Sequence, residues 1–317
     1  MEVSQTILLT GATSGLGFNT VRQLARRSNS YLIVGARNPT QALELQAAMP
    51  KERLTILPLD LSSVASVRRF ATATMEQLGD RRLTALALNA GTQIVTGLEK
   101  TIDGYERTFA SNHLGHFLLT CLLLPVLADG AVVVSTASGT HDPTDRISKQ
   151  FGFRGGFFPD AEAVASGTLD DSVSILQQGL DRYATSKLCN LLFTYDMARR
   201  ISPAKVRFVA FDPGLMPGTG LARDRTPLER FAWQYILPSL RWFIPGVSSP
   251  KQSAKSLAHL LTQAELAPLT GQHFDYRLRL TETSNDSHRK DWQQALHDLS
   301  IRLSSIDVSE LKGVRPS

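Results

Sequence analysis

The stretch Thr6-Ile-Leu-Leu-Thr10, followed by Gly11-Ala-Thr-Ser-Gly15-Leu-Gly17, decides the fold of this chain. The apolar run predicts a buried strand, and the residues after the glycines predict a helix over 15–27. Glycines let the backbone approach a pyrophosphate, and a helix N-terminus offers free N–H groups at the positive end of its dipole. The turn therefore predicts a dinucleotide site, with an ordinary strand-to-helix turn as the alternative. Its predicted cofactor contacts are Gly11, Thr13, Ser14, Gly15, Leu16 and Gly17.

Apolar strand-like runs alternate with amphipathic stretches beyond this turn. Strands are predicted at 6–10, 31–35, 53–59, 83–89, 131–137, 206–211 and 272–276, and helices at 15–27, 40–49, 63–78, 101–127, 181–201, 250–263 and 287–303. Short, almost wholly apolar strands are typical of a parallel sheet that is covered on both faces. We therefore expect an α/β fold: a doubly wound, Rossmann-type parallel sheet in the order 3-2-1-4-5-6-7 with helices on both faces.

Composition narrows the class of protein. The chain has 317 residues, 42% of them hydrophobic and 20% charged, with a net charge of +5. Its basic residues are scattered, which argues against a nucleic-acid partner. We see no uncharged apolar stretch of the roughly 18 residues that a membrane span needs. Cys121 and Cys189 both fall in apolar helical contexts, which predicts buried thiols, no disulfide, no metal site and a cytoplasmic location.

Two regions interrupt the alternation in what we expect to be one Rossmann-type domain over 1–317. The first, 139–180, is an insertion before the helix that carries Tyr183. The second, 217–250, is rich in aromatic residues between 231 and 244 and is predicted to be a substrate lid. Residues 307–317 are expected to form a flexible tail.

Three further strand ends predict cofactor contacts. The second strand is followed by Arg37, where an acidic residue would select NAD by bonding a ribose hydroxyl. An arginine pairs instead with a 2′-phosphate, so NADP(H) is the predicted cofactor, with a solvated loop arginine as the alternative. Asp60-Leu61 is placed to reach the adenine, and Asn89-Ala90-Gly91 lets the backbone pass over a ribose.

The pair Tyr183 and Lys187, in Tyr183-Ala-Thr-Ser-Lys187, predicts the chemistry. Residues four apart share one face of a helix, so the ammonium group is expected beside the phenol. A nearby positive charge lowers the pKa of a tyrosine, which would then exchange a proton with a carbonyl or alcohol oxygen. The alternative is a solvated lysine and a half-buried tyrosine on an amphipathic helix.

Together these motifs resemble the short-chain dehydrogenase/reductase superfamily. The matching residues span 6–220 in family order: Gly11-x-x-x-Gly15-x-Gly17, Asp60-Leu61, Asn89-Ala90-Gly91, Asn112, Ser138, Tyr183-x-x-x-Lys187 and Pro213-Gly214. The run Tyr183-Ala-Thr-Ser-Lys187-Leu-Cys189-Asn190 looks like the branch of retinol dehydrogenases and light-dependent protochlorophyllide reductases. Two positions depart from the photochemical enzymes, because Leu215 replaces their cysteine and Ala184 replaces their lysine.

The resemblance implies roles for individual residues. Tyr183 would be the general acid/base and Ser138 would orient the substrate oxygen. Lys187 would lower the pKa of Tyr183 and bond the nicotinamide ribose. Asn112 would hold a water molecule that links Lys187 to solvent. The alternative to Ser138 is Thr136, on the same strand face.

The same resemblance places Pro213, Gly214 and Thr219 at the nicotinamide, where loop capping is the alternative role for Thr219. We interpret His113, His116 and His141 as packing or rim residues rather than metal ligands, since no carboxylate or cysteine lies at metal-ligand spacing. Family habit implies an oligomer through the helices at 101–127 and 181–201. The insertions could block it, so the oligomeric state stays open.

Three functions are compatible with these residues. The first is an NADPH-dependent carbonyl reductase or alcohol dehydrogenase of a bulky, apolar small molecule, with peripheral membrane contact through 217–250 as an option. The second is a light-dependent protochlorophyllide reductase, which Leu215 disfavours. The third is a non-catalytic NADP(H)-binding sensor or scaffold.

Overall fold

A computed structural model describes residues 5–27, 30–216, 246–262 and 269–307. Within them a seven-stranded sheet has the order β3-β2-β1-β4-β5-β6-β7, and every neighbouring pair is parallel. The strands are β1 (Gln5–Thr10), β2 (Ser30–Ala36), β3 (Leu54–Pro58), β4 (Leu83–Leu88), β5 (Leu127–Thr136), β6 (Val206–Asp212) and β7 (Gln272–Asp275). The predicted fold class and strand order are confirmed.

The described helices connect these strands. They are α1 (Gly15–Ala25), α2 (Leu43–Ala48), α3 (Val64–Leu78), α4 (Arg107–Phe109), α5 (Gly115–Leu123), α6 (Arg146–Gln150), α7 (Ala161–Ser166), α8 (Ile175–Arg200), α9 (Pro250–Thr262) and α10 (Lys290–Ser304). Short 3-10 turns lie at Pro39–Gln41, Lys51–Arg53, Leu124–Val126, Gly139–His141 and Asn285–His288, and a π-helical turn spans Ala110–Leu114.

Alternation along the strands divides the core into two layers. Leu8 faces the layer that contains Phe70 of α3 and Phe117 of α5, whereas Ile7 and Leu9 face the layer with α1 and α9. Successive side chains of a strand point to opposite faces, so one short strand serves both layers. Because the strand interiors form the core, the side chains that could bind a ligand lie at the carboxyl ends of the strands, where the loops begin.

Two helix predictions were wrong in extent. The helix expected over 101–127 begins only at Arg107, because the Glu106 side chain accepts the N–H groups of Thr108 and Phe109 and so caps the helix there. The helix expected at 181 starts earlier, at Ile175, where the Ser174 hydroxyl accepts the Gln177 N–H at 3.3 Å.

The insertion at 139–180 contains α6, α7 and the first turns of α8, so it is more regular than its composition suggests. The predicted lid lies almost wholly outside the described residues, which end at 216 and resume at 246. The predicted tail lies outside them from 308 onward.

Candidate active site

A cavity of about 1250 Å³ runs along the carboxyl edge of the sheet. This is the edge at which doubly wound sheets bind their ligands. Every predicted cofactor contact except Thr219 lines it: Gly11, Thr13, Ser14, Gly15, Leu16, Gly17, Arg37, Asp60, Leu61, Asn89, Ala90, Gly91, Tyr183, Lys187, Pro213 and Gly214. Thr219 lies outside the described residues. The volume exceeds the roughly 300–1,000 Å³ of a typical single-ligand pocket, so it has room for a cofactor and a second molecule.

The turn between β1 and α1 requires its glycines. Gly11 has φ +68°, and a Cβ there would stand 2.6 Å from the Ala90 Cα. A Cβ on Gly17 would stand 2.2 Å from the Gly11 carbonyl oxygen, so α1 packs directly on the turn. The Ser14 side chain does not cap α1, and the first turn of this helix has no acidic residue. The helix N-terminus therefore fits an anionic pyrophosphate.

A buried threonine ties this turn to the end of β4. The Thr10 hydroxyl oxygen accepts the N–H groups of Asn89 and Ala90, each at 3.0 Å. The Asn89 amide donates to the Thr10 carbonyl at 2.9 Å. His116 Nε2 lies 2.9 Å from the Thr10 hydroxyl, a contact that the sequence analysis did not anticipate. Two strand ends that line the cavity are thus held in register by side chains rather than by the sheet alone.

Arg37 and Asp60 stand at the end of the cavity next to β2 and β3. Arg37 is exposed and lines the cavity. One oxygen of Asp60 accepts the backbone N–H of Ser62 at 2.9 Å and its hydroxyl at 2.7 Å, which fixes the carboxylate at the loop. The two side chains are therefore placed where the adenosine half of a dinucleotide was predicted.

Asn112 lies behind the cavity wall, because it is fully buried and does not line the cavity. It belongs to the π-helical turn between α4 and α5. Its amide group donates to the Thr92 carbonyl and to the Ser186 hydroxyl, both at 2.9 Å, and its oxygen accepts the Thr92 N–H at 2.7 Å. Asn112 thereby joins the loop after β4 to helix α8, one residue before Lys187.

Tyr183 and Lys187 share one face of α8, as predicted, and both are buried. The Lys187 ammonium lies 5.6 Å from the centre of the Tyr183 ring and donates to the Thr136 carbonyl at 3.1 Å. The Asn190 amide donates to the same carbonyl at 3.0 Å. The lysine is thus held against the end of β5.

The prediction that Lys187 lowers the pKa of Tyr183 is wrong for this structure. Burial raises the pKa of the Tyr183 phenol, and the negative charge of Asp212 raises it further. Burial lowers the pKa of Lys187 to about 8, although Asp212 opposes this change. The physical reason is that desolvation of the buried phenol is the largest contribution to its pKa. Both effects favour the neutral, protonated form of the Tyr183 phenol.

Ser138 and Thr136 both line the cavity but differ in their partners. Ser138 is half-buried, and its oxygen accepts the Thr140 N–H at 3.3 Å. The Thr136 hydroxyl is buried and has no hydrogen-bond partner among the described residues. His141 Nδ1 lies 2.6 Å from the Ser138 carbonyl, and its Nε2 accepts the Ser284 N–H at 3.2 Å. The His141 ring thus links the backbone at Ser138 to the backbone at Ser284.

Several cavity residues escaped the sequence analysis. The Phe153 ring lies 5.9 Å from the Tyr183 ring. Asp212 is the last residue of β6 and directly precedes Pro213, so its place before a predicted motif was the available signal. Further wall residues come from distant segments: Ile94, Asp145, Ile147, Phe151, Met216 and Arg279.

The described residues contain no group of three or more His, Cys, Asp or Glu side chains that could hold a metal ion. The same part of the chain has one segment, Arg107–Val126, that is long and apolar enough to cross a membrane by length and composition. The expectation that no such stretch exists is wrong by those criteria. In the most apolar 18-residue stretch of this segment, 72% is buried inside the fold. The core helix of a soluble protein meets the same criteria of length and composition.

A doubly wound parallel sheet with a glycine turn, an open helix N-terminus and a buried tyrosine–lysine pair in one cavity defines a nicotinamide-dependent oxidoreductase of the Rossmann type. Residues 5–144 match the family model described as short chain dehydrogenase. The chain is 31% identical over 313 residues to retinol dehydrogenase 12 of Mus musculus, covering 95% of this chain and 86% of that protein. It is also 31% identical over 278 residues to the chloroplastic protochlorophyllide reductase of Daucus carota, covering 82% and 67%. The chain belongs to the short-chain dehydrogenase/reductase superfamily, in the branch that these relatives represent.

Solved structures share this fold. A crystal structure of an uncharacterized protein from Mycobacterium paratuberculosis superposes with a TM-score of 0.68 at 26% identity, covering 96% of this chain and 95% of that one. The NADPH-bound carbonyl reductase from chicken fatty liver superposes with a TM-score of 0.65 at 21% identity, covering 89% and 100%. At that identity the second likeness supports the fold alone.

Proposed function

We propose that this chain is an NADPH-dependent oxidoreductase that transfers a hydride between the nicotinamide and a carbonyl or alcohol group of a bulky, apolar substrate. One observation carries the proposal: a single cavity joins the glycine turn and Arg37 at one end to Ser138, Tyr183 and Lys187 at the other. That arrangement suits a dinucleotide stretched along the sheet edge with its reactive end beside Tyr183.

The chain's own residues fit such a cofactor. The N-terminus of α1 would hold the pyrophosphate, and Arg37 would pair with a 2′-phosphate. Lys187 would donate to the nicotinamide ribose while it also donates to the Thr136 carbonyl, since an ammonium group has three donors. A bound nicotinamide supplies the hydride, and the protein supplies position and a proton.

Tyr183 provides that proton. Burial and Asp212 keep the phenol neutral, so in reduction it donates to the carbonyl oxygen that gains charge. Ser138 would donate a second hydrogen bond to the same oxygen. Asn112 acts indirectly, because its hydrogen bonds to Thr92 and Ser186 hold these residues around the lysine. The water-linked proton relay through Asn112 stays a prediction.

The wall around Tyr183 favours an apolar substrate. Phe153 contacts the tyrosine ring, and Ile94, Ile147, Phe151, Leu215 and Met216 line the same cavity. The name of the mouse relative refers to retinol, a bulky apolar alcohol. A substrate of that class, which we propose here, would bury its hydrophobic body against these side chains.

The test is a matched pair of tyrosine variants on α8. Tyr183→Phe should abolish NADPH oxidation across a panel of apolar aldehydes, ketones and quinones, with NADPH affinity nearly unchanged. Tyr195→Phe is the control, because Tyr195 bonds Thr283 at 2.8 Å and does not line the cavity. Retained turnover in Tyr183→Phe would remove the proposed role. Tight NADPH binding without turnover of any panel member by the wild type would favour a sensor or scaffold instead.

Light-dependent reduction of protochlorophyllide is the second candidate, and the similarity to the carrot reductase favours it. Leu215 disfavours it, because this residue lines the cavity where the photochemical enzymes have a cysteine. Parallel assays with NADPH and protochlorophyllide in darkness and under illumination separate the two. Loss of the pigment only in the light would replace our proposal with this one.

We also propose a cytoplasmic location. Cys121 and Cys189 are both buried and form no disulfide with each other, which suits a reducing compartment. Fractionation of cells that express the tagged chain, with a peripheral membrane wash, tests this proposal.

A further inference from the structure

Asp212 joins the two loops that border the reactive end of the cavity. It is half-buried at the end of β6 and lines the cavity. One carboxylate oxygen accepts the Gly214 N–H at 2.8 Å, and the other lies beside Gly139, where an added Cβ would stand 3.5 Å from it. Gly139 follows Ser138 in the loop after β5, whereas Gly214 belongs to the loop after β6. One side chain therefore lies against both loops.

Strand pairing brings Asp212 close to the tyrosine–lysine pair. Thr136 and Phe211 are paired across β5 and β6, and the Ala137 N–H donates to the Phe211 carbonyl at 2.8 Å. The Lys187 ammonium rests on the Thr136 carbonyl at this same point. The carboxylate that follows Phe211 thus stands at the strand ends where the ammonium is held.

We propose that Asp212 is a positioning residue of this active site: it joins the Ser138 loop to the Pro213–Gly214 loop and places a negative charge opposite Tyr183 and Lys187. This inference rests on the proposed function and deepens it, because the charge determines which proton form of the site dominates. A negative charge favours the protonated phenol and the protonated amine. The site is thereby biased toward giving a proton to a carbonyl, the step that reduction needs.

The electrostatics of the surroundings agree with this role. Asp212 raises the pKa of both Tyr183 and Lys187. Burial raises the pKa of Asp212 itself, and the N–H group of Gly214 opposes that change. The titratable and charged groups that face Asp212 from the neighbouring elements are His141 and Asp145 after β5, Tyr183 and Lys187 on α8, and Asp275 with its partner Arg279 beside β7.

The experiment compares Asp212→Asn with Asp145→Asn. Both substitutions replace a carboxylate of the cavity wall by an amide of nearly the same shape. A Cβ on Gly139 would lie 3.5 Å from the carboxyl carbon of Asp145 and 3.5 Å from an oxygen of Asp212, so the two carboxylates are neighbours. Asp145 caps α6 and is not among the groups that shift Tyr183 or Lys187. It therefore controls for loss of a nearby charge.

The first readout does not depend on turnover. The pKa of Lys187 is followed by NMR of protein with 15N-labelled lysine, and its signal is assigned by its loss in Lys187→Met. We expect Asp212→Asn to lower the pKa of Lys187 from about 8 by roughly one pH unit, and Asp145→Asn to leave it in place. An unchanged value in Asp212→Asn would overturn the proposal, even if no substrate is ever found.

The second readout is the pH dependence of turnover in both directions. In Asp212→Asn, the alkaline loss of carbonyl reduction and the rise of alcohol oxidation should both move to lower pH. A merely structural role would lower both rates without changing the pH at which reduction falls and oxidation rises. Absence of turnover by the wild type would count against the proposed function, whereas unmoved limbs with an unmoved Lys187 titration would count against Asp212 alone.

Discussion

Cofactor preference provides the sharpest test of the site, through the substitution Arg37→Asp. Arg37 is exposed and lines the end of the cavity next to β2, where we propose that the adenosine binds. In the wild type its guanidinium would pair with the 2′-phosphate of NADPH. The substitution repels that phosphate and offers a carboxylate to the ribose hydroxyls of NADH. We therefore expect the preference to reverse.

The size of the effect follows from the exposure of Arg37. A hydrogen bond to a charged group contributes about 1.5–3 kcal/mol, and solvent screening at an exposed side chain points to the lower end of that range. About 1.5 kcal/mol corresponds to roughly tenfold in Kd. The wild type should thus bind NADPH roughly tenfold more tightly than NADH, and the difference should shrink as ionic strength rises.

Fluorescence titration of both reduced cofactors at two salt concentrations measures these constants. Arg26→Asp is the matched control, because Arg26 is also exposed and follows α1 but does not line the cavity. It makes the same change in net charge and should preserve the preference for NADPH. Equal affinity of the wild type for NADPH and NADH would refute the reasoning, since Arg37 would then contribute nothing to phosphate binding.

Three further predictions concern stability and binding. Thr10→Val should lower the free energy of unfolding in urea by about 1–3 kcal/mol, because two partly buried N–H groups lose their acceptor; a loss below about 0.5 kcal/mol would contradict this. Gly11→Ala should abolish NADPH binding in calorimetry while the protein stays folded, because its Cβ collides with the backbone at Ala90; binding at wild-type affinity would show that the turn can shift. Burial alone would raise the pKa of Asp196, but hydrogen bonds from His297 and Arg200 lower it overall. The ionised Asp196 therefore contributes to stability above about pH 4. This contribution is lost as the pH falls through the depressed pKa. Melting temperatures should accordingly fall less steeply in acid for Asp196→Asn than for the wild type; parallel curves would exclude this linkage.

The sheet was predictable because its signals are local. Each strand is a short apolar run, and each of the predicted strands is present within a few residues of its expected ends. Helix starts were less predictable, since they depend on which side chain captures the first N–H groups. Ser174 and Glu106 do so here, and neither stood out in the sequence.

The π-helical turn at Ala110–Leu114 was missed for a related reason. Its residues have no helix-breaking character, and the sequence predicts an uninterrupted helix through them. The wider turn places the Asn112 side chain between the Thr92 backbone and Ser186. Thr92 and Ser186 lie 20 and 74 positions from Asn112 in the chain, so the hydrophobic periodicity of the helix does not predict these contacts.

The amino-acid sequence by itself determined the parallel sheet, the glycine turn and the set of residues at the strand ends, because those features depend on residue type and spacing over a few positions. Only the tertiary structure decided the direction in which the pKa of Tyr183 is shifted. Its pKa depends on how deeply the fold buries the phenol and on the carboxylate of Asp212 at the end of β6. Desolvation and through-space charge act between residues that are distant in the chain, and for that reason the sequence pattern predicted the pair but not the direction of its pKa change.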